Sequence, residues 1–151
     1  MAYSLNPNDS LCYPGTTVLI NKLNIRSQKQ LSEAETLMVN AKTIEFELAP
    51  SPESMDFCYY KRIHRHLFRS LYDWAGAVRT VNLSKQHTQF CPAHEIDLLA
   101  ENMFSRLKDM DFFLGLEKKA FISELADFCT SVNYLHPFRE GNGRTQRVYF
   151  R

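Results

Sequence analysis

The chain holds 151 residues, enough for one domain of ordinary size and too few for two complete ones. Lys and Arg total 18 against 17 Asp and Glu, so the net charge of +1 gives no whole-chain pull toward nucleic acid or an anionic membrane. With 44% hydrophobic and 13% aromatic residues, five Gly and six Pro, the composition excludes a disordered or collagen-like protein.

Residues 1–24, rich in Pro, Gly, Asn and Asp, read as an extended arm with a turn at Pro14-Gly15. The arm is taken to residue 26, and 27–151 is taken as one core domain. No basic stretch leads into an apolar one at the start, and no run approaches the roughly eighteen apolar residues of a membrane span. Cys12, Cys58, Cys91 and Cys129 lie far apart, without zinc-site spacing, and read as thiols of a reducing, cytoplasmic location.

Ser27 and Gln30 resemble a capping box, and apolar residues at Leu31, Ala34, Leu37, Met38, Ala41, Ile44 and Leu48 predict an amphipathic helix that residues 49–53 terminate. A second helix is expected over Met55–Leu71, with Phe57, Ile63, Leu67 and Leu71 inward. Its His64 and His66 point about 200° apart and cannot grip one metal; one should pack in the core and the other face solvent. Residues 72–90 turn at Trp74-Ala75-Gly76 and then favour extended chain, predicting a hairpin with its turn near Lys85–Thr88. A third helix follows over Ala93–Met110, facing inward with Ile96, Leu99, Met103, Leu107 and Met110. A fourth over Glu117–Leu135 carries Phe121, Leu125, Phe128 and Val132, and a fifth begins at Thr145. The fold class is mainly α with one small hairpin.

The chemistry is concentrated in His136-Pro-Phe-Arg-Glu140-Gly141-Asn142-Gly143-Arg144-Thr-Gln-Arg147. Glycines before a helix let successive N–H groups form an anion nest at the positive end of the helix dipole. Arg144 and Arg147, three apart, could clamp two phosphoryl groups from one helix face. Glu140 beside a phosphate site calls for a cation between them, and Mg2+ held by one carboxylate and substrate oxygens fits. His136 is then near the reacting phosphorus, with an ordinary pKa of about 6.5 suited to taking a proton from a hydroxyl. Phe138 should anchor the loop in the core. A metal-dependent hydrolase using His136 and Glu140 is weak, because two ligands without a further histidine cluster do not make a site.

This run has every position of the Fic signature, H-x-F-x-[D/E]-G-N-G-R-x-x-R, and the upstream IHRHLF and YDWAGAVRTVNLSK resemble the helix and flap of that family. The resemblance implies a small helical domain that transfers AMP from ATP to a hydroxyl side chain of a target protein. It implies His136 as general base, Glu140 as Mg2+ ligand, Gly141, Asn142, Gly143 and Arg144 as the phosphate-binding loop, and Arg147 on the terminal phosphate. Residues 79–90, with Lys85 and Phe90, would dock the target by main-chain pairing. Gly143 favours AMP transfer over the phosphoryl transfer of the Doc branch, which has lysine there.

The family's inhibitory [S/T]-x-x-x-E-[G/N] helix has its nearest match at Thr43–Glu47, but Leu48 follows. The resemblance therefore implies a separate small antitoxin as inhibitor. It also implies further helices beyond residue 151 that would support the core, and Val148, Tyr149 and Phe150 are expected to seek a partner. A nucleotide-binding or interaction domain without catalysis is the alternative reading.

Overall fold

A computed structural model describes residues 10–48, 54–86 and 88–151, which form five α-helices, two short 3-10 turns and one two-stranded hairpin. Over its described part the arm doubles back on itself instead of running extended: Cys12 bridges Leu19 antiparallel across the expected turn, where Gly15 has a φ of 73°. Residues 1–9 of the arm and the helix-ending segment 49–53 lie outside the described residues.

Helix α1 (Gln28–Glu47) starts as expected, with the Ser27 hydroxyl accepting from the Gln30 N–H. Its buried face differs from the apolar pattern. Leu31, Glu35 and Val39 are buried, whereas Leu37 and Ile44 are 75% and 61% exposed and Leu48 is exposed too. The helix is rotated so that a carboxylate, Glu35, turns inward toward partners on other elements.

Helix α2 (Phe57–Phe68) is shorter than the expected span. Asp56 caps its start by accepting from the Tyr59 N–H at 2.7 Å, and the Leu71 and Tyr72 N–H groups both close a turn on the Phe68 carbonyl. The hairpin pairs β1 (Ser84–Lys85) with β2 (Thr88–Gln89), Ser84 opposite Gln89 and Lys85 opposite Thr88, which puts the turn where the sequence reading did; His87 lies outside the described residues.

A 3-10 turn at Ala93–Glu95 leads into α3 (Ile96–Asp109), which buries Ile96, Ala100, Phe104 and Leu107. Leu99, Met103 and Met110 are only partly buried, so the face is turned from the expected one to admit Phe104. Helix α4 (Lys118–Leu135) buries Phe128, Val132 and Leu135 near its C-terminal end; Phe121 is exposed. Helix α5 (Asn142–Tyr149) begins three residues earlier than expected, because Gly141 in the left-handed region, not the loop after it, is the N-cap.

The core is aromatic where α2, α3, α4 and α5 meet. Tyr60, Phe104, Phe128 and Tyr149 pack ring against ring at centroid distances of 5.3–6.5 Å. Tyr149 is buried and its hydroxyl donates to the Met55 carbonyl, while Phe150 packs edge-on against Phe128. The apolar residues at the end of α5 thus find partners within the chain, contrary to the expectation. The loop of residues 136–141 joins α4 to α5 and is pinned on α2 by Phe138, which is fully buried against Tyr60 and His64.

Candidate active site

His136 ends α4 in the left-handed region, at a φ of 43°, a conformation that persists in a non-glycine residue when its surroundings over-determine it. Four contacts do so. Its N–H donates to the Val132 carbonyl, its own carbonyl accepts from Arg79 Nε at 2.8 Å, its Nδ1 lies 3.1 Å from the Asn133 carbonyl, and its ring stacks on Phe90 with centroids 3.7 Å apart. A carbonyl can only accept, so Nδ1 carries the proton and Nε2 holds the lone pair. Burial, together with the nearby Arg79 and Lys85 cations, pushes the pKa down to about 4 even though the Asn133 bond opposes it. The imidazole is neutral at physiological pH.

The anion end of the site is built by backbone. Gly141 has a φ of 82°, and a Cβ there would lie 2.4 Å from the Phe68 ring, so only glycine fits. The first bond of α5 runs from the Thr145 N–H to the Gly141 carbonyl, which leaves the Asn142, Gly143 and Arg144 N–H groups without a helical acceptor. The Asn142 side chain does not face the ligand space: it accepts from the Phe138 N–H and donates to the Phe138 carbonyl, closing the loop on itself. A Cβ on Gly143 would meet nothing nearer than Arg147 Nη1 at 3.8 Å, so internal packing does not require this glycine; its bareness keeps the first turn approachable.

Glu140 accepts from the Gly141 N–H at 2.8 Å through Oε1, and Arg144 Nη2 lies 3.3 Å from the same oxygen. Arg144 also reaches Glu35 Oε2 at 2.9 Å and lies over the Phe68 ring. Glu35 in turn accepts from the Tyr72 hydroxyl. Arg147, one turn further along α5, is exposed. His136, Glu140, Gly143, Arg144 and Arg147 all line one cavity of about 1270 Å³, and Lys85 lines it from the hairpin.

Phe90 is buried, with its ring on His136, which makes it a support for the imidazole and not a surface for a passing segment. Thr88 and Gln89 are the exposed strand residues.

Three buried groups support the site, and two of them, Arg79 and Glu35, escaped the sequence reading. Arg79 donates to the carbonyls of Val81, Cys91, His136 and Leu135, stitching the hairpin base to the loop. His64, fully buried, accepts at Nδ1 from the Gly76 N–H and therefore donates from Nε2 to the Glu140 carbonyl, 3.0 Å away. This makes it the core histidine that the sequence suggested, while His66 is half-buried on the Lys42 carbonyl instead of free in solvent. Glu35 is the third. A charged residue between Leu31 and Val39 on a buried stripe was the available signal for it.

A divalent cation fits the donor set. Among the described residues no group of three or more His, Cys, Asp or Glu is gathered around a metal site, and Glu140 offers one hard carboxylate at the cavity wall. That suits Mg2+, which takes its remaining ligands from phosphate oxygens and water. Nor is any helix of the described residues long and apolar enough to cross a membrane.

The Fic/DOC family model matches residues 54–151. A protein of Sinorhizobium fredii strain NGR234, named as the probable protein adenylyltransferase y4lH, is 41% identical over 142 residues, 93% of this chain and 72% of that protein. The N-terminal Fic domain of an effector protein from Bartonella sp. AR 15-3 superposes with a TM-score of 0.86 at 28% identity, over 93% of this chain and 69% of that one. BepC of Bartonella tribocorum, solved with bound AMPPNP, has a TM-score of 0.83 at 27% identity, over 92% and 73% of the two chains.

Proposed function

This chain belongs to the Fic/DOC family, and on that premise we propose that it is a protein adenylyltransferase, moving AMP from ATP to a Ser, Thr or Tyr hydroxyl of a target protein. The observation that carries the reading is the convergence on one cavity of a neutral imidazole, a carboxylate and the cation-bearing first turns of α5.

In this reading the triphosphate lies along the N-terminal end of α5, its oxygens facing the N–H groups of Gly143 and Arg144 and the guanidinium groups of Arg144 and Arg147. The target hydroxyl attacks the α-phosphorus in line, His136 Nε2 takes its proton, the bond to the β-phosphate oxygen breaks, and pyrophosphate leaves. Burial holds His136 neutral until substrate arrives, and the anionic triphosphate then raises its basicity. Glu140 would hold Mg2+, which supplies charge neutralisation across the phosphates. Most of the rate comes from positioning, with Phe90, Arg79 and the Asn133 carbonyl fixing the imidazole. The exposed hairpin, with Lys85 toward the cavity, is suited to pairing with an extended target segment.

We further read the activity as restrained by a separate small antitoxin, because Thr43–Glu47 lies within α1 and is followed by Leu48. Labelling of lysate proteins from α-radiolabelled ATP tests both statements. Purified chain should transfer label, and His136→Ala should lower transfer by at least about 10³-fold while ATP binding stays within about twofold. Transfer surviving that substitution sinks the assignment of the base; undiminished labelling with a co-encoded small protein added sinks the antitoxin.

A further inference from the structure

We propose that Glu35 is a positioning residue that keeps hold of Arg144 when Glu140 turns to the metal, and so keeps the Glu140 carboxylate available. The proposal rests on the reading of Glu140 as metal ligand given above.

The geometry that carries it is a carboxylate on each side of one guanidinium nitrogen. Arg144 Nη2 lies 2.9 Å from Glu35 Oε2 and 3.3 Å from Glu140 Oε1. Glu35 is the nearer and the more buried of the two, its side chain 12% accessible against 31% for Glu140. Both of its oxygens have a partner, Oε1 the Tyr72 hydroxyl and Oε2 Arg144. Its place is therefore fixed from α1 and from the turn after α2, while Glu140 sits on the loop that faces the cavity.

Stability alone gives little reason for a carboxylate on this buried stripe, since a buried ion pair returns about what its desolvation costs and an apolar residue would serve as well. Two carboxylates on one arginine do have a consequence for ligand binding. With Glu35 present, Glu140 can leave Arg144 without stranding a half-buried cation. Without it, Glu140 is the sole carboxylate for Arg144, and the arginine competes with the metal for the same oxygen. Glu35 also brings negative charge toward the cavity where phosphate would lie, so its removal should ease the binding of a triphosphate that carries no metal. A role confined to holding the fold would weaken binding in both conditions.

The test is calorimetric titration of ATP into the whole chain, in EDTA and across a series of Mg2+ concentrations. For Glu35→Gln the Mg2+ concentration giving half of the metal-dependent gain in affinity should rise about tenfold, while affinity in EDTA stays equal or improves by two- to threefold. Tyr72→Phe, which removes the donor to Glu35 Oε1 and keeps the ring, should move the Mg2+ midpoint the same way by about threefold, and decides the matter if Glu35→Gln fails to fold. Glu140→Gln separates the two levels of inference. If it leaves the Mg2+ dependence intact, the reading of Glu140 falls and the proposal with it. If it abolishes the dependence while Glu35→Gln and Tyr72→Phe keep the wild-type midpoint within twofold, or weaken binding equally with and without Mg2+, the role given to Glu35 is overturned alone.

Discussion

His64 and His136 are both neutral for the same first cause, loss of water, and in each the tautomer is dictated by a backbone partner. Burial pushes His64 down to about 3, with the Glu140 carbonyl opposing and Arg144 assisting, and His136 down to about 4. The sign of the linkage follows. Unfolded chain takes up protons near pH 6.5, whereas folded chain does so only near 4 and 3, so between these values the unfolded state binds more protons and stability falls as pH falls. The contribution is complete above about pH 6.5 and is lost toward acid, at up to about 1.4 kcal/mol per pH unit for each histidine. His64→Gln can keep both hydrogen bonds, its amide oxygen facing Gly76 and its amide nitrogen facing Glu140, without the titrating group. Thermal unfolding from pH 7 to 4 should therefore decline less steeply for this variant than for the native chain; parallel curves would refute the burial argument. For transfer, kcat/KM should hold nearly level from pH 7 to 5, where an ordinary imidazole would already have lost most of its basic form.

At the scale of elements, the hairpin reaches the catalytic loop through Arg79. One planar guanidinium serves four backbone carbonyls from three segments, and the Arg79 N–H adds a fifth tie by donating to the Pro137 carbonyl. An ammonium cannot reproduce that fork. Arg79→Lys should cost about 3 kcal/mol in unfolding free energy through unsatisfied buried carbonyls. It should also speed hydrogen exchange in residues 81–91 and lower kcat more than it raises KM, since the His136 ring loses the frame that Arg79 and Phe90 supply. Unchanged exchange in the hairpin would deny the stitch. This dependence explains what could and could not be read from sequence. The five helices and the hairpin turn follow from local pattern and caps, and the motif at 136–147 stands out by its own chemistry. The inward faces of α1 and α3 were misjudged because periodicity counts apolar residues, and α1 is turned by Glu35, whose partners Tyr72 and Arg144 are 37 and 109 residues away. The start of α5 was placed late because Asn142 and Gly143 are poor helix formers, yet the left-handed Gly141 and the Asn142 clasp on Phe138 start the helix regardless. Phe90 was readable as a hairpin residue but not as the ring beneath His136, a contact across 46 positions of sequence.

Across the whole molecule, near-neutrality is an average of two unlike regions. The cavity wall carries five cations, Lys29, Lys85, Arg139, Arg144 and Arg147, against three carboxylates, Glu33, Glu35 and Glu140. Taking these from the 18 basic and 17 acidic residues of the chain leaves 13 and 14, so the excess of positive charge sits at the cavity. The excess of cations thus lines a concave site, a shape that focuses the field on an anion entering it. A triphosphate should feel that excess, and salt should screen the exposed part of it, because the Debye length shrinks from about 10 Å at 0.1 M to about 3 Å at 1 M. Arg147, exposed where Arg144 is half-buried, should account for most of the screened share. Over that range the dissociation constant of ATP should rise about tenfold, while that of adenosine, which makes the same base and ribose contacts without phosphates, should move by less than about twofold. Arg147→Gln should weaken ATP binding at low salt and flatten its salt dependence without altering that of adenosine. Equal salt shifts for ATP and adenosine would mean that the cavity charges are compensated where the phosphates lie, and the anion site assigned to α5 would have to be placed elsewhere.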